Sequence, residues 1–421
     1  MLSLFLLSGL RPMGLPAHAE TASNALLGPV PIDALVAEAM RSNPEIEGAQ
    51  SHWQGTTKVP RQIRTLDDPQ IFVQEFTVGS PVPGSGYETS DFYYTGFGAS
   101  QDIPGPGKLR LRATRAQKDA DFARASLESV ERRITEKVRE AALNLFYLTR
   151  VRDLLIRTRS ELQDVALGAE QQYRTGMAQQ QDVLKAQLAV TSILKDSEMN
   201  RSETEAAEAS LKALLGRDQD SPEIAIADVS PSSLNLPETE LGEAAEAGSA
   251  ELKMARATLA GSKDALDLAR QDYWPDFSLG YQYDKTGPGF RDYYMLTVGA
   301  KIPLYFWRKQ TPAVEQAAAE KQTAESQLRA ARLGAVSDLR GAAVEARSQE
   351  QIITLYHEGL IPQAIATLSS ATAAYRTGKV DFQTLLSAQV DLLNLREGCY
   401  RAIADHEIAI ARMKQIIGER P

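Results

Sequence analysis

The residues that could carry out chemistry are few and far apart in this sequence. Its histidines are His18, His52, His357 and His406, and none stands in a metal-binding spacing such as HExxH. The only cysteine is Cys399, so no internal disulfide can form. The sequence also lacks a Walker A glycine loop, a GxSxG motif and a GxGxxG motif that opens a helix. It therefore predicts no catalytic, metal or cofactor site.

A recognisable spacing of polar residues occurs instead in a stretch that is repeated. The stretches YRTGMAQQQDVLKAQLAV (173–190) and YRTGKVDFQTLLSAQVDL (375–392) are identical at 8 of 18 positions. In each copy a glycine, Gly176 or Gly378, interrupts one helical pattern and a second pattern follows. Glycine allows a turn that a side chain would obstruct, so each copy predicts the tip of a helical hairpin. The protein is interpreted as a duplication.

Long helices are predicted to position these tips. Helical patterns run from residue 106 to 173 and from 312 to 375, and returning helices are expected at 181–215 and 383–417. At about 1.5 Å per residue, the leading helices are on the order of 100 Å long, too long for a compact globule. In the first of them, apolar residues seven apart predict a coiled-coil seam of Leu127, Ile134, Ala141, Leu148, Leu155 and Leu162.

Four β-strands are predicted as two hairpins, at residues 68–104 and 274–303. In the second hairpin large apolar residues alternate with small or polar ones, and one face carries Phe277, Leu279, Tyr281 and Tyr283. About 10 residues per strand is the length that a tilted strand needs to cross a bilayer. Four strands cannot close a barrel and lipid does not tolerate open edges, so three copies are expected to supply twelve strands. A soluble hairpin packed on helices is the alternative.

Composition narrows the choice of partners. The net charge of -9 and the pI near 5.3 argue against nucleic acid, whose phosphates need clustered Lys and Arg. Residues 1–19 contain a short apolar run and end in Ala17-His18-Ala19, which predicts a signal peptide; a disordered or buried N-terminus is the alternative. No later segment approaches about 18 consecutive apolar residues, so a membrane crossing by α-helices is not expected.

The duplication, the two strand hairpins, the very long helices and the YxxG tips together resemble the outer-membrane efflux protein family of TolC-like factors. The resemblance covers residues 31–418, and the stretch IPGPGKLRLR (103–112) looks like the branch that serves heavy-metal RND exporters. It implies a mainly α fold with a small β part. Duplicated long-helix hairpins would form a periplasmic α-barrel, and four strands per chain would contribute to a trimeric 12-stranded transmembrane β-barrel.

The resemblance also divides the chain into parts. These are a signal peptide (1–19), a first repeat (31–220) with its tip at 173–182, a linker (221–239) and a second repeat (240–418) with its tip at 375–384.

The implied function is that of the outer-membrane channel in a tripartite efflux system. A homotrimer in the bacterial outer membrane would extend into the periplasm and contact outer-membrane lipid, a periplasmic adaptor (membrane fusion) protein and an inner-membrane RND-type pump. Substrates such as metal cations or drugs would pass through it. The pump supplies the energy, so the resemblance implies no catalytic residue and no cofactor.

Individual tip residues match the family's pattern. The adaptor-facing tips correspond to Tyr173, Arg174, Gly176, Tyr375, Arg376 and Gly378. Tyr375 matches a tyrosine that helps to hold the closed gate, and Asp182 matches a gate aspartate. Three copies of Asp182, helped by Asp381, are expected to form an acidic ring at the periplasmic constriction that favours cations. One alternative is that Asp182 only interacts favourably with the helix dipole, as an aspartate in a first helical turn does. The other is that the tip tyrosines only pack against their neighbours.

Other tip positions depart from the family's pattern. Val380, Thr384 and Ser387 stand where the type member has an arginine and two aspartates, so a salt-bridged latch of that design is not expected. The rival interpretation of the whole chain is a periplasmic coiled-coil adaptor or structural protein without a pore. An adaptor, however, has one helical hairpin and a lipoyl-like domain, and the duplication with two hairpins fits neither. An enzyme built on a small sheet is a more distant alternative.

Overall fold

The computed structural model of the protein describes residues 28–77, 92–176, 178–232, 237 and 239–418. The predicted signal peptide lies outside the described residues, as do most of the loop of the first strand hairpin and part of the predicted linker. The described chain is mainly helical with one small sheet, which confirms the predicted fold class. In this part of the chain, no helix combines the length and the apolar composition that a membrane span requires.

Among its described residues, the first half of the chain forms five helices and two strands. In order, they are α1 (Ile32–Ser42), α2 (Pro44–Thr56), α3 (Val59–Arg64), β1 (Gln70–Thr77), β2 (Tyr93–Ile103), α4 (Lys108–Arg174) and α5 (Gln180–Leu215). Helix α4 has 67 residues, so it is about 100 Å long. The break between α1 and α2 falls where an asparagine precedes a proline, because the Asn43 side chain accepts a hydrogen bond from the backbone N–H of Glu45.

The second half repeats this order with one difference in its long helix. Its elements are α6 (Leu241–Gly248), α7 (Ala250–Gln271), β3 (Asp276–Thr286), β4 (Tyr293–Lys301), α8 (Gln310–Leu355), a π-helical turn (Tyr356–Leu360), α9 (Ile361–Arg376) and α10 (Phe382–Ile417).

The prediction of one regular helix up to Tyr375 is wrong, because the π-helical turn separates α8 from α9. The physical reason is Pro362, in the first turn of α9. Proline has no N–H to donate to the carbonyl of Glu358, and its ring would clash with that carbonyl in a regular α-helix. A widened turn relieves the clash.

The four strands form one antiparallel sheet in the order β1-β2-β3-β4. The two predicted hairpins are confirmed, and β2 pairs with β3 in a register that places Gly96 opposite Asp284 and Gly98 opposite Gln282. This pairing joins the two halves of the chain. It leaves β1 and β4 as the edges of the sheet.

Equivalent short helices pack against the long helices in both halves. In the first half, Leu35 and Val36 of α1 are buried in one cluster with Ile134 of α4 and with Leu211 and Leu215 of α5. In the second half, Leu241 and Ala245 of α6 are buried with Leu339, Ala409, Ile410 and Met413. The predicted seam of α4 is confirmed as a packed face: all its leucines and Ile134 are buried, and Ala141 is partly buried.

Candidate functional site

The chain turns at a glycine in the first tip, and the returning helix α5 then begins with two reciprocal hydrogen bonds. Gly176 has φ of 77°, a left-handed conformation that favours glycine. At the start of α5 the Gln179 side chain accepts from the backbone N–H of Asp182. In return, the Asp182 carboxylate accepts from the N–H of Gln179 at 3.3 Å. This capping box gives Asp182 a local role in starting α5.

The second tip has the same glycine turn and a different cap. Gly378 has φ of 69°. Asp381 is the N-cap of α10, and its Oδ1 accepts from the N–H of Thr384 at 3.0 Å and from the Thr384 hydroxyl. These bonds, and then the charge of Lys185, lower the pKa of the Asp381 carboxyl. Both tip aspartates therefore cap a returning helix, from different positions.

The structure packs the second tip against the helices of the first. Phe382 is fully buried in a cluster with Ala169 of α4 and Ala186 of α5. The ring of Tyr375 lies across that of Phe382 with 5.7 Å between centroids. Burial raises the pKa of Tyr375, and the negative charge of Asp182 raises it further. Two predicted gate residues, Asp182 and Tyr375, are thus brought close together.

The hydroxyl of Tyr375 is buried without a hydrogen-bond partner among the described residues. By contrast, Tyr173 and Arg376 are exposed, and Arg174 pairs with Glu170 on its own helix at 2.7 Å. The predicted adaptor-facing residues therefore lie at the two tips, largely on their surface. Their roles, and those of Asp182, Tyr375 and Asp381 in a gate, remain predictions.

The two faces of the sheet differ in an unusual way. One face exposes large apolar side chains, which are Ile71, Val73, Phe97, Leu279, Tyr281, Tyr294, Leu296 and Val298. Ile71 is 84% exposed and Val298 is 72% exposed. A sheet in water normally buries its apolar face, and a contiguous exposed one marks a surface covered by a membrane or a partner. The strands have 8 to 11 residues, close to the length that a tilted bilayer-crossing strand needs.

A buried lysine links the sheet to the helices. Lys108 is 3% exposed, and its Nζ lies 2.8 Å from Asp276 Oδ1 and 3.3 Å from Asp272 Oδ1. It also donates to the carbonyl of Trp274 at 3.0 Å, while the N–H of Gly105 donates to Asp276. The turn from β2 to α4 is therefore tied to the turn from α7 to β3 by charge-assisted bonds.

This cluster was not predicted from the sequence, in which the stretch around Lys108 indicated only a family branch. A lysine beside PGPG at a strand end was the available signal, but its carboxylate partners are more than 160 residues away in the chain.

Comparison with known proteins identifies the family of this chain. A family model described as outer membrane efflux protein matches residues 58–217 and 241–419. The chain belongs to the outer membrane efflux protein family. Membership confirms the predicted resemblance and the location in the outer membrane. The two matched segments of this outer membrane efflux protein contain its two helical hairpins.

Solved structures show the same fold. The crystal structure of the CmeC outer membrane channel of Campylobacter jejuni has a TM-score of 0.80 at 13% identity, covering 92% of this chain and 85% of that one. A CusC structure has a TM-score of 0.79 at 16% identity, covering 94% and 95%. The outer membrane protein VceC of Vibrio cholerae has a TM-score of 0.77 at 17% identity, covering 92% and 96%. No curated protein sequence matches the chain significantly.

Proposed function

We propose that this outer membrane efflux protein is the outer-membrane channel of a tripartite efflux system. It conducts substrates, metal cations or drugs, from an inner-membrane RND-type pump and a periplasmic adaptor across the outer membrane. Family membership and the fold shared with outer-membrane channels such as CmeC support the proposal. The pump supplies the energy, so the chain needs no catalytic step and no cofactor.

The observation that carries the proposal is the sheet with an exposed apolar face and two open edges. Each unpaired backbone N–H or C=O in lipid costs several kcal/mol, so β1 and β4 need partners. In a homotrimer, β4 of one protomer pairs with β1 of the next, and three four-stranded sheets close into a ring of twelve strands. The apolar face then contacts lipid, and the opposite face lines a lumen.

The long helices extend this lumen away from the membrane. Helices α4 and α5 in one repeat, and α8 to α10 in the other, form two hairpins whose tips lie far from the sheet. Three protomers supply six hairpins around one axis. The adaptor contacts the tips, through Tyr173, Arg174 and Gly176 in the first repeat and Tyr375, Arg376 and Gly378 in the second.

The constriction of the channel lies at the same tips. Asp182 of three protomers forms an acidic ring, Asp381 adds negative charge nearby, and Tyr375 helps to hold the closed state. The contact between Tyr375 and the helices of the first tip supports this assignment, because opening must separate packed surfaces there. An acidic ring attracts cations and repels anions.

Purification in detergent and reconstitution in planar bilayers test the proposal. We expect native mass spectrometry to show a trimer and SDS gels of unheated samples to show a trimer band. In bilayers we expect stepwise ion conductance. A monodisperse, water-soluble monomer without conductance would show that the exposed face packs elsewhere and that the channel assignment is wrong.

A matched pair of variants tests the orientation of the strands. Val298 and Thr297 are neighbours on β4 and point to opposite faces. Arginine at a lipid-facing position costs about 2–4 kcal/mol near the bilayer centre, so Val298→Arg should prevent stable insertion while Thr297→Arg only alters conductance. If both variants insert equally well, the apolar face does not contact lipid.

A further inference from the structure

Two equivalent turns lead from a strand of the sheet into a long helix, and they differ in composition. The turn from β2 to α4 has the sequence IPGPG (103–107), and the turn from β4 to α8 has the sequence IPLYFWRK (302–309). After the first turn, Lys108 is buried and paired with Asp276. The charge at the first turn is therefore balanced within the chain.

The second turn exposes a group of large apolar and aromatic side chains. Leu304 is 67% exposed and Tyr305 is 70% exposed, and Phe306 and Trp307 are exposed as well. The backbone of the turn is nevertheless fixed, because the N–H of Arg308 donates to the carbonyl of Tyr305 at 3.0 Å. The ring of Trp307 meets that of Phe306 edge to face with 5.2 Å between centroids. The turn is thus an ordered aromatic projection.

Cations accompany the aromatic residues of this turn. Arg308 and Lys309 follow Trp307 directly, and Lys301 ends the preceding strand. All three cationic side chains are exposed, and none forms an ion pair within the described part of the chain. Unlike Lys108 at the first turn, these cations are free to pair with an anion outside the protein.

The place of the turn in the fold favours a membrane as the partner. Lys301 lies opposite Asp276 at the end of the sheet from which the long helices extend, which is its periplasmic end. Ile302 and Leu304 are exposed and continue the apolar surface of β4 beyond the strand. Apolar residues, then Tyr and Trp, then cations follow the order of the layers that a chain meets on leaving a bilayer through its headgroups.

We propose that residues 302–309 bind the headgroup of an anionic phospholipid, such as phosphatidylglycerol, in the periplasmic leaflet of the outer membrane. Arg308 and Lys309 pair with the lipid phosphate, for which the planar guanidinium of arginine offers two parallel N–H donors. Tyr305 and Trp307 lie at the boundary between headgroups and acyl chains. A zwitterionic lipid is bound less tightly, because its own ammonium group competes for the phosphate.

The inference uses the location of the protein in the outer membrane, and it does not require the chain to conduct substrates. The site is built within one protomer, from the turn between β4 and α8. Its preference for one lipid over another can therefore be measured without reference to transport.

Quenching of tryptophan fluorescence by brominated phospholipids tests the proposal on the full chain in vesicles. The sequence has three tryptophans, so Trp53→Phe with Trp274→Phe leaves Trp307 as the only fluorescent one. We expect brominated phosphatidylglycerol to quench Trp307 more strongly than brominated phosphatidylethanolamine at equal mole fraction. Equal quenching by the two lipids overturns the proposal. A Trp307 that neither lipid quenches means that a protein contact covers the turn, and it overturns the proposal as well.

Charge variants of the same single-tryptophan protein test the headgroup contact. Arg308→Gln with Lys309→Gln should lower the preference for phosphatidylglycerol by a factor of about five for each cation, the usual contribution of a Lys or Arg beside an anionic surface. The matched control is Arg157→Gln with Arg159→Gln, which removes two exposed cations on α4 about 70 Å from its sheet end. The control should keep the preference. A preference that survives the loss of Arg308 and Lys309 overturns the proposal.

A second measurement covers the case in which the tryptophan replacements prevent assembly. Native mass spectrometry of the wild-type trimer, in detergent with equal amounts of phosphatidylglycerol and phosphatidylethanolamine, should show mainly bound phosphatidylglycerol. Equal retention of the two lipids overturns the proposal. A trimer that conducts without lipid preference overturns this inference alone, whereas a trimer that prefers phosphatidylglycerol without conducting supports it and overturns the proposed function.

Discussion

The two helical tips share one backbone turn and differ in the side chains that follow it. Gln179 and Asp381 are equivalent N-cap positions, and Asp182 and Thr384 are equivalent third positions of the returning helices. In the first tip the acid stands at the third position, and in the second it stands at the N-cap. The two tips therefore share one backbone conformation, although their acidic residues differ in position by about one helical turn.

The larger difference lies at the next pair of positions. Gln180 begins α5 and is exposed, whereas the equivalent Phe382 begins α10 and is buried against the first tip. Tyr173 is likewise 46% exposed, whereas Tyr375 packs on Phe382. The second tip is thus anchored by an aromatic pair, and the first tip supplies the surface on which it packs. A duplicated element has become two complementary halves of one contact.

The strongest test of this comparison removes the anchor. Phe382→Ala should cost about 3–5 kcal/mol of local stability, the usual effect of deleting a buried phenylalanine side chain. Hydrogen exchange of the α9 and α10 ends in the detergent-solubilised trimer should accelerate accordingly. Gln180→Ala is the control at the equivalent exposed position and should leave exchange at the first tip unchanged. Equal effects of the two variants would show that the tips are not anchored differently.

A second test compares the two tip tyrosines. The buried hydroxyl of Tyr375 has no partner among the described residues of its own protomer, so we expect a neighbouring protomer to supply one in the closed channel. Tyr375→Phe should then raise the open probability in bilayers about 2- to 10-fold, the factor that corresponds to a hydrogen bond of roughly 0.5–1.5 kcal/mol.

Tyr173→Phe provides the control for that measurement. Tyr173 is exposed, so its hydroxyl can form a hydrogen bond with water. Loss of that hydroxyl should therefore leave the open probability unchanged. If neither variant changes the open probability, the Tyr375 hydroxyl makes no bond in the closed state and the ring acts only through packing.

Periodicity and glycine turns are local signals, and the features that depend on them were predictable. The strand hairpins, the seam of α4 and the returning helices all follow from alternation or from seven-residue spacing. The π-helical turn before Pro362 was not predicted, because the apolar pattern continues through it and only the proline marks it. Helix α3 was missed for a related reason, since six residues are too few to show a period.

The chemistry of the sites was harder to predict because it depends on distant partners. The tip aspartates could be recognised from their spacing after a glycine. That Phe382 anchors the second tip could not, since its neighbours Ala169 and Ala186 are about 200 residues away in the chain. Asp284 is a similar case: its alternation places it on the face opposite the apolar one, but only the register with Gly96 shows that it is buried.

A third test concerns the charge of the first tip. Asp182→Gln keeps a side-chain acceptor at the third helical position, so the capping box is retained while the charge is lost. Cation-over-anion permeability, measured as a reversal potential under a salt gradient, should fall about two- to fivefold, as expected from roughly 0.5–1 kcal/mol of screened attraction. Asp119→Asn, which changes an exposed acid near the opposite end of α4 from the tip, should leave it unchanged. An unaltered reversal potential in Asp182→Gln would mean that Asp182 does not lie at the constriction.

The smallest expected effect is the pH response of the second tip. Because hydrogen bonds to Thr384 lower the pKa of Asp381 below its usual 3.8, the carboxylate stabilises the folded tip at pH values above about 4. That contribution is lost as the pH falls through the lowered pKa.

Asp381→Asn keeps a good N-cap but cannot titrate. A nitroxide label at an exposed site on the turn, introduced by Lys379→Cys, should therefore be more mobile in Asp381→Asn than in the parent at pH 6, with the difference gone at pH 2. Thr384→Val removes the hydroxyl donor and should reduce the same difference. A difference that persists at pH 2 would mean that the Asp381 charge does not hold the turn, and that the two tips differ only in their packing.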